Sequence, residues 1–255
     1  MVGINMLKNK VALITGGGQG VGQGIAKSLA KQGAHIVVTG RTLEKCDKTV
    51  KLLKPFNVNT LSVRCDVKST KDLENCIDLT IKKFGRLDIL VNNAQEVARG
   101  PLLNISDAQI NDNWNSGPLA TFRLMKMAYP YLVESKGNII NLCSSVMKRW
   151  DVGTYGVYAA VKAATQQLTR AAANEWGKDG IRVNAIMPHA KSPALAGWMD
   201  ANPVEAKHFQ NSIPLGYVGD CEQDIGEFVA MMCSDGARYL SGQTIALDGG
   251  QVFIG

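Results

Sequence analysis

Lys10-Val-Ala-Leu-Ile-Thr15 is followed by Gly16-Gly-Gly-Gln-Gly20-Val-Gly22-Gln-Gly24 and then by Ile25-Ala-Lys-Ser-Leu-Ala30. The three pieces read as a short buried strand, a glycine-rich turn and the start of a helix. Glycines in such a turn let the backbone approach a pyrophosphate, whose charge then sits at the helix N-terminus. The order strand, turn, helix gives the reading its weight, because a glycine-rich turn without those flanks is an ordinary loop.

Outward from that stretch, strand-like segments are expected at about 10–15, 35–39, 59–65, 87–91, 137–143, 180–186 and 243–247. They alternate with amphipathic stretches at about 20–32, 43–54, 69–84, 107–134, 154–177 and 221–234. This alternation describes a single-domain, doubly wound α/β fold: a parallel sheet of about seven strands, helices on both faces and right-handed crossovers. Ligands of such sheets bind beyond the carboxyl ends of the strands, where Gly16 to Gly22, Asn92, Ser145 and Pro188 would lie. With 255 residues, 45% of them hydrophobic, the chain can bury one large core, and no Pro/Ser-rich linker divides it.

The longest apolar runs are strand-sized, and Met1 to Asn9 lacks the apolar stretch of a signal peptide, so the expectation is a cytoplasmic protein without a membrane span. The net charge of +6 comes from 28 basic and 22 acidic residues without a basic run or interleaved aromatics. That is a solvated surface, modestly favourable to an anionic cofactor, and not a nucleic-acid footprint. Six cysteines show no CxxC pair and no ligand spacing. They read as buried free thiols, and no metal site is expected.

Tyr158-Ala-Ala-Val-Lys162 lies on an alanine-rich helical segment, with Ser145 upstream of it after the apolar run Asn138-Ile-Ile-Asn-Leu-Cys143. Helical spacing of four puts phenol and ammonium on one face, where a fixed positive charge would stabilise a phenolate and lower its pKa from about 10. Those residues form a proton-transfer device.

Together these motifs make the chain resemble the short-chain dehydrogenase/reductase family over essentially its whole length. The matching pieces are Thr15-Gly16-x-x-x-Gly20-x-Gly22, Asp66-Val67, Asn92-Asn93-Ala94, Ser145, Tyr158-x-x-x-Lys162, Asn184-Ala-Ile-Met-Pro188 and Asp248-Gly249-Gly250. The resemblance implies a Rossmann-like fold and three catalytic residues. Tyr158 would be the general acid or base, Ser145 would hydrogen-bond the substrate oxygen, and Lys162 would hold the nicotinamide ribose and depress the Tyr158 pKa. It also implies that Gly16, Gln19, Val21, Arg41, Asp66, Val67, Asn92, Ala94, Tyr158, Lys162 and Pro188 bind the dinucleotide, with Asp66 capping the adenine amino group. At the end of the second strand, Gly40 stands where an NAD-specific site places an acid, and Arg41 follows it. NADP(H) is therefore favoured over NAD(H). A homotetramer, or otherwise a homodimer, built through 107–134 and 154–177 is implied as well.

The chain departs from the family pattern at several places. Gly117-Pro118 replaces the helix asparagine whose carbonyl holds a water in the proton path, and the pair should kink the helix. Either Gly117 still offers its carbonyl or Asn113 or Asn115 fills the gap, with Asn113 otherwise an exposed helix or cap residue. Gln95, His189 and Pro193 carry side chains around the nicotinamide site where the family has Gly, Gly and Thr. His189 is open to two readings, a substrate contact or a packing residue.

Met147, Trp150, Tyr155, Trp198 and Met199 fall in segments flanking the reactive centre and suggest a mainly apolar alcohol or ketone, with cyclic and steroid-like molecules among the candidates. Residues 189–215 read as a long irregular segment, either a substrate lid or a surface helix pair against a neighbouring subunit. Two rival functions stand beside alcohol–ketone interconversion. Tyr155, seven residues before Lys162, also matches the spacing of enoyl reductases, which reduce C=C bonds. The departures at Gln95, Gly117, His189 and Pro193 suit a cofactor-binding sensor or scaffold with weakened catalysis.

Overall fold

The computed structural model describes residues 5–149 and 153–252. Its first strand, β1 (Val11–Thr15), is buried at every position, as a strand covered on both faces must be. Side chains alternate across it: Ala12 and Ile14 join one hydrophobic cluster and Val11 and Leu13 the other, so one strand feeds two cores.

The chain then alternates as its pattern predicts: α1 (Gly20–Lys31), β2 (His35–Gly40), α2 (Leu43–Leu53), β3 (Thr60–Arg64), α3 (Thr70–Phe84) and β4 (Ile89–Asn92). There follow α4 (Asp107–Ser116), α5 (Pro118–Ser135), β5 (Asn138–Leu142), α6 (Gly156–Trp176) and β6 (Arg182–Pro188). The last elements are α7 (Pro193–Ala201), α8 (Pro203–Asn211), a wide helical turn at Cys221–Gly226 running into α9 (Glu227–Met232), and β7 (Thr244–Leu247). All strand pairings are parallel, in the order β3-β2-β1-β4-β5-β6-β7. The winding reverses between β1 and β4, and the crevice this opens at their carboxyl ends is where such sheets bind ligands. Residues of α1 and α9 pack one face, and residues of α3, α5 and α6 the other.

One sequence expectation changes and one narrows. The stretch 107–134 is two helices instead of one kinked helix, because Pro118 has no N–H to continue α4 and its ring suits the first position of a new helix. Gly117 sits at the break with φ −100° and ψ −105°, and its carbonyl accepts the Thr121 N–H at 2.9 Å to start α5. The segment 189–215, read as an irregular lid or as a surface helix pair, carries two helices, α7 and α8. Ser192 caps α7 by accepting the Leu195 N–H at 3.3 Å, and a proline opens each helix. Trp150 lies outside the described residues.

One close approach fixes how α1 sits. A Cβ on Gly24 would overlap the Cys221 carbonyl oxygen, and one on Gly226 would lie 2.6 Å from the Gly24 oxygen, so glycine on both sides lets the backbones touch. Among the described residues, no helix is long and apolar enough to cross a membrane. All six cysteines are free, five of them buried.

Candidate active site

The glycine turn is held by the loop that follows β4. Asn93 Nδ2 donates to the carbonyls of Thr15 at 2.8 Å and Gly16 at 3.1 Å, while Thr15 Oγ1 accepts the N–H groups of Asn93 and Ala94, both at 3.0 Å. A Cβ on Gly22 would lie 2.5 Å from that Asn93 nitrogen, so glycine there makes room for the staple. Gly16 and Gly20 adopt φ of +64° and +57°, the left-handed region that glycine enters freely. In the sequence Thr15 and Asn93 stand only as motif residues, with no sign of this staple beyond being polar residues at the ends of buried strands.

Above the turn lies a cleft of about 480 Å³. Gly16, Gln19, Val21, Arg41, Asp66, Val67 and Ala94 line it, as do Lys45, Glu96 and the α7 start at Ser192 to Ala194. Asn92, Tyr158, Lys162 and Pro188 lie outside that lining. The Asn92 side chain turns into the core, where Nδ2 donates to Asn141 Oδ1 at 2.8 Å and Asn141 Nδ2 donates to Thr169 Oγ1 at 2.9 Å. Asp66 lines the cleft and its carboxylate accepts the Lys68 N–H at 3.0 Å, so it is at once a turn residue and a wall residue.

The donors suit a pyrophosphate. The first turn of α1 has no side-chain cap and no acidic residue, which leaves its N–H groups and positive dipole end facing the cleft. Lys45 Nζ donates to Gln19 Oε1 at 2.8 Å across the rim. Arg41 and Lys68 both pair with Glu96, and Lys68 also reaches Asp112 at 2.8 Å. Glu96 carried no sequence signal beyond its place after the Asn92-Asn93-Ala94 motif.

Tyr158 and Lys162 face each other on α6, with Lys162 Nζ 5.5 Å from the phenol ring centroid. Lys162 is 4% exposed and donates to the Leu142 carbonyl at the end of β5. Burial lowers its pKa to about 8, opposed by the neighbouring Cys143 thiol. Burial raises the Tyr158 phenol to about 12; a hydrogen bond with Ser144 pulls it down, and Cys143 and Tyr155 push it up. The expected depression of the phenol by Lys162 is thus not supplied by the protein's own groups. The ammonium lies over the ring and is committed to a carbonyl, and desolvation dominates both groups.

The serines divide their tasks. Ser145 Oγ donates to Asp248 Oδ2 at 2.9 Å, and Asp248 also accepts the N–H groups of Gly250 at 3.1 Å and Val252 at 3.0 Å. The serine hydrogen-bonded to Tyr158 is Ser144. The adjacent Ser-Ser pair was the available signal for it.

The departures from the family pattern fit one another. Gln95 Nε2 donates to the Asn113 carbonyl at 3.0 Å, and a Cβ on residue 117 would lie 2.5 Å from the same Gln95 nitrogen. Gly117 therefore makes space for Gln95. Asn113 is buried, contrary to its reading as an exposed residue, with Nδ2 donating to the Gln109 carbonyl at 3.2 Å.

The residues expected to flank a substrate scatter. Met147 packs with Cys143 and Met187. The Tyr155 ring lies 6.0 Å from that of Tyr158 and carries the Arg99 guanidinium 4.7 Å above it. His189, Phe209 and Trp198 form an edge-to-face series with centroid spacings of 5.2 and 5.8 Å. Burial lowers the His189 pKa, so the ring favours its neutral form.

The family model described as "Enoyl-(Acyl carrier protein) reductase" matches residues 16–251. A 12alpha-hydroxysteroid dehydrogenase of Clostridium sp. is 37% identical over 258 residues, covering 97% of this chain and 98% of that protein. The solved structure of a 7 alpha-hydroxysteroid dehydrogenase, complexed with NADH and 7-oxo glycochenodeoxycholic acid, superposes with a TM-score of 0.91 at 30% identity over 97% of this chain and 96% of that one. An actinorhodin polyketide ketoreductase variant with NADPH superposes with a TM-score of 0.89 at 28% identity, over 95% and 97% of the two chains.

Proposed function

We propose that this chain, which belongs to the short-chain dehydrogenase/reductase family of NAD(P)(H)-using oxidoreductases, interconverts a secondary alcohol and a ketone on a mainly apolar small molecule, with cyclic and steroid-like compounds as the first candidates. The observation that carries this reading is the placing of Tyr158 and Lys162 on one face of α6, with Ser144 hydrogen-bonded to the phenol. The 12alpha-hydroxysteroid dehydrogenase relative supports the substrate class.

A bound nicotinamide dinucleotide supplies or accepts the hydride. The glycine turn and the uncapped start of α1 would hold its pyrophosphate, and Val67 and Asp66 its adenine; the family resemblance gives the nicotinamide ribose to Lys162, on α6 outside the cleft lining. Arg41, with Gly40 in place of an acid, supports NADP(H) over NAD(H). Tyr158 gives its Oη proton to the substrate oxygen in reduction and takes it back in oxidation. Lys162, whose pKa lies near 8, would carry that proton onward. Ser144 would orient the oxygen from the Tyr158 side, while Ser145 would donate to it only on releasing its proton from Asp248.

The helices α7 and α8 are proposed as the substrate lid, since the start of α7 already touches the cleft. Exposed Trp114 and Phe122 on α4 and α5 support a homotetramer or homodimer built there, and a cytoplasmic location goes with this reading. A second reading, C=C reduction, is favoured by the family model's description. Against it, Arg99 covers the Tyr155 ring that would serve that chemistry.

The test follows nicotinamide absorbance with NADPH and NADH against steroidal, cyclic and aliphatic ketones and one enone. Ketone reduction with NADPH preferred is expected. Reduction of the enone at C=C alone would replace this function by the second reading, and dinucleotide binding without any turnover would replace it by a sensor.

A further inference from the structure

Glu96 stands where three strand ends meet. Its backbone N–H donates to Ser116 Oγ at 3.0 Å, which fixes the residue on the loop after β4. Its carboxylate then spans to Arg41, after β2, and to Lys68, after β3, whose Nζ lies 3.2 and 3.3 Å from its two oxygens. Arg41 and Glu96 both line the cleft that fits the dinucleotide. Arg41 is also the guanidinium placed to receive a 2′-phosphate. Asp112 completes the group through Lys68, so two cations face two carboxylates and the network is electrically balanced.

We propose that Glu96 is a specificity-determining residue that competes with the 2′-phosphate for Arg41, holding the chain's discrimination in favour of the phosphorylated dinucleotide below what Arg41 alone would give. The proposal rests on the NADP(H) reading above. A 2′-phosphate carries close to two negative charges, and it meets Arg41 only by breaking or sharing the Glu96 pair. Lys68 keeps the freed carboxylate nearby, where it still repels the phosphate. The unphosphorylated ribose has no such charge and is indifferent to Glu96. Because Arg41 is well exposed, the pair is a weak one, and the effect is a tuning of affinity instead of an on–off switch.

The test measures binding of 2′,5′-ADP and 5′-AMP by calorimetry to the wild type, Glu96→Gln, Arg41→Ala and the double variant. The amide keeps the shape and the Ser116 anchor while removing the charge. Glu96→Gln is expected to tighten 2′,5′-ADP about three- to fivefold, the range of a solvent-exposed ion pair, and to leave 5′-AMP unchanged. The gain is expected to vanish on the Arg41→Ala background. If Arg41→Ala weakens 2′,5′-ADP while Glu96→Gln changes nothing, the NADP(H) reading stands and the competition is refuted. If Glu96→Gln weakens both ligands, the pair is a clasp over adenosine and the proposal is wrong. If the wild type binds both ligands equally and Arg41→Ala alters neither, the cofactor reading fails and the proposal falls with it.

Discussion

Lys162 and Arg41 are cations proposed to serve the same bound molecule, yet they live under opposite physical rules. Lys162 is 4% exposed and, among the described residues, pairs with no carboxylate; its hydrogen bond is to the neutral Leu142 carbonyl, and the group that raises its pKa is the Cys143 thiol. Arg41 has a side chain 61% exposed and is matched by Glu96. At the buried end desolvation decides, so charge is costly and both members of the pair are pushed toward neutrality, Lys162 to about 8 and Tyr158 to about 12. At the open end water and counter-charge decide, so each ion pair is worth little and is readily exchanged. A proton can be handed over where charge is scarce, and an anion can be selected where charge is balanced.

The comparison breaks most visibly at Tyr158. Tyr158→Phe removes the acid and the base, and turnover is expected to fall by about 10²–10⁴-fold with dinucleotide affinity within a factor of about two, read by steady-state kinetics beside calorimetry. Equal losses in both would place the residue in binding.

A smaller effect sharpens the desolvation half of the comparison. The folded Lys162 pKa of about 8 lies below the ordinary lysine value of 10.5, so between those pH values the unfolded chain holds a proton that the folded chain has released. Wild-type stability therefore gains from this group as pH rises through that window, and below it the cost of the buried charge is fully present. Lys162→Met has no such cost. Its stability relative to wild type should be highest below pH 8 and fall by on the order of 3 kcal/mol towards pH 10.5, measured by denaturant unfolding. A pH-independent difference would mean that Lys162 is solvated or charge-paired. The smallest effect belongs to the open end, where the few-fold response to Glu96→Gln should shrink further as salt is added.

How far the sequence carries the reader follows the same division. The βα alternation, the Gly16 to Gly22 turn and the Tyr158, Lys162 spacing are local patterns, and each element they predict is present. The break at Gly117 was legible because proline acts on its own neighbours. What it was for was not, since Gln95 and Gly117 become complementary only when the loop after β4 is laid against α4. The same holds for Ser145, whose partner Asp248 is over a hundred residues away, and for Glu96, whose partners follow two other strands. For 189–215 the sequence left an irregular lid and a surface helix pair side by side, and the structure carries two helices there, each opened by a proline, Pro193 and Pro203.

Tyrosinate absorbance, titrated in the wild type and in Tyr158→Phe with the protein alone, tests most directly whether burial governs the proton-transfer pair. The difference between the two curves is expected to stay flat through neutral pH and to rise only towards a midpoint of about 12, as far as the fold survives. A difference curve titrating near pH 7 to 8 would show that Lys162 already holds a phenolate in the protein alone, contradicting the desolvation account.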